Sequence, residues 1–93
     1  MKARKFANVW DAVEPLPEVA TQWKARATLM TALRDRIVRA RWTQAEAARR
    51  LGVTQPRVST LMRGKLSLFS LDTLVSMATA AGLRVEIKIR RAA

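Results

Sequence analysis

Between residues 55 and 63 the chain carries Gln55, Arg57, Ser59, Thr60 and Arg63, all hydrogen-bonding groups, interleaved with Val58, Leu61 and Met62. Helical spacing sends the apolar three to one side and leaves the polar five on the other. A glutamine amide can pair at two points with adenine, an arginine with guanine, and a threonine methyl can lie against the methyl of thymine. The set therefore suits the edge pattern of a DNA major groove. Gln44 and Gln55 each follow a threonine able to cap a helix, so the backbone N–H groups of two helix starts are available to phosphate. A helical hairpin with a merely solvated polar face is the competing reading of this pattern.

Little other chemistry is open to the chain. It has no cysteine and no histidine, which removes disulfides, zinc fingers, iron–sulfur clusters, imidazole catalysis and Cys/His nucleophilic pairs. Asp35, Glu46, Asp72 and Glu86 are scattered, and Glu46 already has a use in a helix cap, so no enzyme, metal site or cofactor is expected. At 93 residues there is room for one small core and no separate catalytic domain. The 49% hydrophobic content is enough for that core, and 5% aromatic residues with three glycines argue for helices over an all-β sandwich.

Eighteen Lys and Arg against seven Asp and Glu leave a net charge of +11, pointing to a polyanionic partner. The excess is concentrated. Residues 1–22 balance Lys2, Arg4 and Lys5 against Asp11, Glu14 and Glu18, whereas residues 23–65 set eleven bases against Asp35 and Glu46 alone. An ordinary surface intersperses both signs, so this focus favours a binding face. The longest largely apolar run, Leu74 to Leu83, is far short of the roughly 20 residues that span a bilayer. Asp11 and Glu14 also break any signal-peptide core, and a cytoplasmic protein without membrane contact is expected.

The elements that must position these groups follow from capping and periodicity. Asn8 to Val13 suggests a short helix stopped by Pro15 and Pro17. Pro17 suits a first helical position, and Trp23, Ala27, Met30, Leu33 or Arg34, and Ile37 then recur at three- and four-residue steps through Ala40. Trp42 ends the stripe, and it and Trp23 are expected in the core or at helix junctions. Thr43-Gln44-Ala45-Glu46 reads as a capping box, with Glu46 reaching back to the cap backbone. The helix it opens buries Ala47 or Ala48 and Leu51, and Gly52 provides the tight turn. Thr54 caps a third helix that tolerates Pro56 in its first turn and stops at Gly64; Ser70 caps a fourth that ends at Gly82.

Beyond Gly82 the period changes to two. Leu83, Val85, Ile87 and Ile89 alternate with Arg84, Glu86, Lys88 and Arg90, which is a strand pattern, and no other segment alternates this way. A lone strand leaves its ladder groups and one apolar face without partners, so another chain is expected to supply them. The economical partner is the same strand of a second copy across a two-fold axis, giving a homodimer through Leu83, Val85, Ile87 and Ile89. A different protein, or the N-terminal arm, are the alternatives. The expected organisation is an arm at 1–22, a helix-turn-helix domain at 23–82 and a dimerisation strand at 83–93.

The run Thr43-Gln44-Ala45-Glu46-Ala47-Ala48-Arg49-Arg50-Leu51-Gly52-Val53-Thr54-Gln55-Pro56-Arg57-Val58-Ser59, continued by Leu61 and Arg63-Gly64-Lys65, resembles the Cro/phage-repressor-like (XRE-type) helix-turn-helix regulators. The segments Phe69-Ser70-Leu71-Asp72-Thr73-Leu74-Val75 and Asn8-Val9-Trp10-Asp11-Ala12 are similar to the HigA-like antitoxins within that family. The resemblance implies a mainly α, lambda-repressor-like fold of four to five helices with one C-terminal strand. It further implies a dimeric repressor on a palindromic double-stranded DNA operator, the promoter of its own operon, and a RelE/HigB-like mRNA-cleaving toxin as partner. By similarity, Gln55, Pro56, Arg57, Ser59 and Thr60 face bases, with Arg57 open between readout and backbone positioning. Pro56 departs from the hydrogen-bonding residue often found there and offers only apolar contact. Gln44, with Thr43, would take a phosphate, as would Arg63 and Lys65, with Arg41 and Arg49 in supporting positions. Phe6 and Trp10 in the neutral arm are the candidate toxin contacts, unless Trp10 packs on the long helix. A stand-alone regulator without a toxin, or an interaction module that binds DNA only through its charge, are the alternative functions.

Overall fold

The computed structural model describes residues 17–91, which form α1 (Pro17–Ala40), α2 (Gln44–Leu51), α3 (Gln55–Met62) and α4 (Leu71–Ala80), with a 3₁₀ turn at Leu66–Leu68. The expected helix at Asn8–Val13, and Phe6 and Trp10, lie outside these residues. α1 starts at Pro17 and is continuous across residue 22, so the change in charge along the sequence falls within a helix.

The helix starts follow the threonines and serine that mark them. The Thr43 Oγ1 accepts from the Glu46 N–H at 3.0 Å, the Thr54 Oγ1 from Arg57 N–H at 3.3 Å and the Ser70 Oγ from Thr73 N–H at 3.1 Å. Each satisfies a donor that a helix start would otherwise leave unpaired. Only half of the expected capping box forms. The Glu46 carboxylate turns to the guanidinium groups of Arg49 and Arg50, one turn further along the same helix, instead of returning to the cap backbone.

α1 packs chiefly on α4, α2 on α3, and α2 also touches α4. Leu33 from α1, Val58 and Leu61 from α3, Leu74 from α4 and Phe69 from the preceding loop are the largest fully buried side chains, with Met30, Ile37, Ala47, Ala48, Leu51, Met77, Ala78 and Ala81 completing the core. Each large member contributes roughly 1.5–3 kcal/mol by leaving water. Trp23 departs from expectation: it is 48% exposed and outside the core. The stripe of α1 meets the core from Leu29 and Met30 onward. Trp23 lies about two turns earlier, and its ring is covered by the Arg26 guanidinium, 5.2 Å from the ring centroid. Trp42 does pack against the core, at the junction of α1 and α2.

α1 ends in a motif usually closed by glycine. The Arg41 N–H donates to the Val38 carbonyl at 3.0 Å and the Trp42 N–H to the Ile37 carbonyl at 3.1 Å, which holds Arg41 at φ 60°. α2 ends at Gly52 (φ 72°), whose N–H and that of Val53 both donate to the Ala48 carbonyl, at 2.9 and 3.0 Å. Here the glycine meets the backbone demand of the turn without a Cβ.

The C-terminal segment differs from the sequence expectation. Residues 83–91 carry no regular secondary structure, and no strand ladder occurs among the described residues. A strand exists through its ladder, and the described residues offer no second strand. Leu83 and Val85 pack against the core, while Ile87 and Ile89 are 80% and 90% exposed.

Arg41→Gly removes a left-handed backbone from a residue with a Cβ and is expected to stabilise the fold by about 1 kcal/mol, a rise of roughly 4–8 °C in Tm. Thermal melting followed by circular dichroism checks it; an unchanged or lower Tm contradicts the strain.

Candidate nucleic-acid interface

The turn from Gly52 to Thr54 brings α2 and α3 together through Ala47, Ala48, Leu51, Val58 and Leu61, all buried. Alanines on α2 allow the backbones to approach, and the buried side of α3 fixes which of its residues look outward. Gln55 and Pro56 occupy its first two positions and are exposed. Ser59 and Thr60 are half-buried one turn on. The Thr60 hydroxyl donates to the Pro56 carbonyl at 2.9 Å, and the Ser59 Oγ accepts from Arg63 Nη1 at 2.8 Å. Of the expected base-facing residues, Gln55 and Pro56 therefore present the most open surface.

Arg57 is placed differently from its neighbours. Its Nη1 donates to the Leu68 carbonyl at 3.1 Å and its guanidinium lies 4.1 Å from the centroid of the Phe69 ring, so the side chain is folded onto the loop after α3. The expected phosphate residues are all exposed. Thr43 and Gln44 stand at the start of α2, Arg49 on its outer side paired to Glu46, Arg41 at the left-handed turn, and Arg63 and Lys65 flank Gly64.

The basic excess divides into two populations. Arg26 Nη1 donates to the Phe69 carbonyl at 3.4 Å. Arg36 Nε donates to the Ala81 carbonyl at 2.9 Å, and its guanidinium lies 5.0 Å from the Trp42 ring centroid, with that of Arg50 at 4.8 Å. With Arg57, these arginines bind loops and rings of the protein itself. Lys24, Arg34, Arg39, Arg41, Arg63 and Lys65 are exposed. Arg34 is the residue that sequence reasoning missed. The alternation Leu33 or Arg34 left it as a candidate for the apolar stripe; Leu33 is buried and Arg34 Nη1 comes within 3.5 Å of where a Cβ on Gly64 would stand. Arg34 thus brings a cation from α1 to the turn at Gly64, which Arg63 and Lys65 flank in the chain.

Two short helices crossing at a glycine-containing turn, the second capped and polar on its outer side, define a helix-turn-helix protein. Residues 14–90 match the model of a helix-turn-helix domain family. A solved structure described as that of a candidate XRE-family transcriptional regulator is similar at 42% sequence identity and a TM-score of 0.73, covering 78% of this chain and 82% of that one. No curated protein matches the chain. The chain belongs to the helix-turn-helix domain family, of XRE type.

Proposed function

We propose that the protein is a dimeric, sequence-specific DNA-binding repressor that acts on the promoter of its own operon in the cytoplasm. The observation that carries this reading is the outer side of α3, where Gln55 and Pro56 stand exposed at the helix start with Ser59 and Thr60 behind them. Gln55 offers a two-point pair to adenine, and Pro56 and the Thr60 methyl offer apolar contact to thymine. Thr43 and Gln44 bring the N–H groups of α2 to one phosphate, while Arg63, Lys65 and Arg34 meet the backbone on the other side. Arg41 and Arg49 add charge at the edge, and the strained backbone at Arg41 fits retention of a cation where glycine would sit more easily. The regulator described for the similar solved structure supports the same reading.

Dimerisation runs through the C-terminal segment. Leu83 and Val85 cover the protein's own core, and Ile87 and Ile89 offer the exposed apolar pair that an antiparallel copy of the segment would bury. Such a pairing sets two α3 helices about 34 Å apart, one turn of duplex, and calls for a palindromic site. The resemblance of the segments around Trp10 and Ser70 to the HigA-like antitoxins supports a place in a toxin–antitoxin operon. A RelE/HigB-like toxin would dock on the arm bearing Phe6 and Trp10.

Binding to a fragment from upstream of its own gene, compared with scrambled DNA at roughly 50 and 200 mM salt, tests the reading. A preference for the upstream fragment that persists at the higher salt is expected; equal, salt-collapsing binding contradicts it. Gln55→Ala should relax preference at one base pair, at about 1–3 kcal/mol, while Lys65→Ala weakens all sequences alike. Ile87→Glu with Ile89→Glu is expected to give a monomer by light scattering at a concentration where the parent is dimeric, and a dimer that survives both contradicts the strand interface.

A further inference from the structure

We propose that Arg57, although it stands on the DNA-facing helix, is a positioning residue: a strut that fixes the loop after α3 and does not read a base. Three contacts carry this. The Arg57 guanidinium donates from Nη1 to the Leu68 carbonyl, eleven residues further along, at 3.1 Å. The same guanidinium lies 4.1 Å from the centroid of Phe69, whose ring is 1% exposed. The Phe69 carbonyl in turn accepts from Arg26 Nη1 of α1 at 3.4 Å, so two guanidinium groups from different helices hold one loop.

The chemistry needs arginine. A planar guanidinium can lie on an aromatic ring while an edge N–H donates to a carbonyl, whereas an ammonium has no plane to lay on the ring and keeps all its donors on one strongly hydrated nitrogen. An end-on pair to guanine would compete for the Nη1 group that the Leu68 carbonyl holds, and carrying the guanidinium into a groove gives up that carbonyl and uncovers the Phe69 ring. Apart from the Arg26 bond and the burial of Phe69, the loop rests on short-range bonds: Lys65 N–H to the Thr60 carbonyl at 3.3 Å, Leu68 N–H to the Lys65 carbonyl at 3.1 Å and Phe69 N–H to the Leu66 carbonyl at 3.2 Å. Arg57 adds the side-chain tie from α3 itself that sets this loop, and with it Lys65, at a fixed distance from Gln55. Readout by Gln55 and anchoring by Lys65 are thereby held in one register. The DNA consequence rests on the function proposed above; the strut itself does not.

Arg57→Ala and Arg57→Lys test it in the full-length chain. Amide hydrogen exchange at Leu68 and Phe69 is expected to speed up by about tenfold or more in both variants relative to Val58 and Leu61 of the core. A second measurement selects bound duplexes from a random-sequence pool with parent and variants, then measures affinity for the selected duplex and for a scrambled one. The strut predicts an unchanged selected sequence and a loss of about three- to tenfold on both duplexes, not rescued by lysine. Unchanged exchange in both variants overturns the proposal. So does a selected sequence altered at one base pair with scrambled binding intact, which would make Arg57 a reader. Full rescue by lysine, with only Arg57→Ala losing affinity, would make it a phosphate contact and also overturns the strut. If the parent protein selects no sequence, the proposed function fails, and the exchange rates still decide the strut.

Discussion

Two eight-residue helices cannot hold themselves together in water, because helix nucleation costs more than so few hydrogen bonds return. α2 and α3 exist through the apolar side they share with α1 and α4. Ala47, Ala48 and Leu51 on one, and Val58 and Leu61 on the other, are buried against Leu33, Leu74 and Phe69. That burial determines which residues of α3 are left outside, and so the surface proposed to read DNA is what the core does not use. The same constraint places the chain between α3 and α4, since Phe69 must enter the core and carries its neighbours with it.

The charge of the protein has a double role that its total conceals. Arg26, Arg36 and Arg57 bind carbonyls at loops and helix ends and lie over aromatic rings, and Arg49 and Arg50 share the Glu46 carboxylate. Arg26, Arg36 and Arg57 tie loops to helices, while Arg49 and Arg50 are surface pairs. Arg34, whose guanidinium reaches Gly64, and Arg63 and Lys65 on either side of that glycine are exposed. Part of the net charge of +11 is therefore engaged within the protein and not free to meet phosphate.

The boundaries of the helices were readable because they depend on neighbours within four residues. Thr43, Thr54 and Ser70 cap where their side chains can reach, and Pro17, Gly52 and Gly64 mark the ends of helices by their own backbone preferences. What could not be read depends on contacts distant in sequence. Arg57 bonds to a carbonyl eleven residues away, Arg26 to one forty-three away and Arg36 to one forty-five away, and no local pattern separates these from the exposed cations. Trp23 fits the helical period yet lies outside the core, because periodicity assigns a side of the helix and not the length over which that side is covered. Glu46 could reach either its cap or the next turn, and two arginines on that turn attract it more strongly than one N–H. The alternation at Leu83 to Ile89 is a property of the sequence, whereas a strand is a property of a pair, and the described residues hold no partner for it.

The central claim is that α3 meets DNA with the side left over from the core, and backbone amide NMR of the protein titrated with a duplex from upstream of its gene tests it most directly. Shifts are expected at Gln44, Gln55, Ser59, Thr60, Arg63 and Lys65, with the amides of α4 and of residues 87–91 nearly unmoved. Shifts confined to α4 and the C-terminal segment, with Gln55 and Thr60 unchanged, would contradict the account.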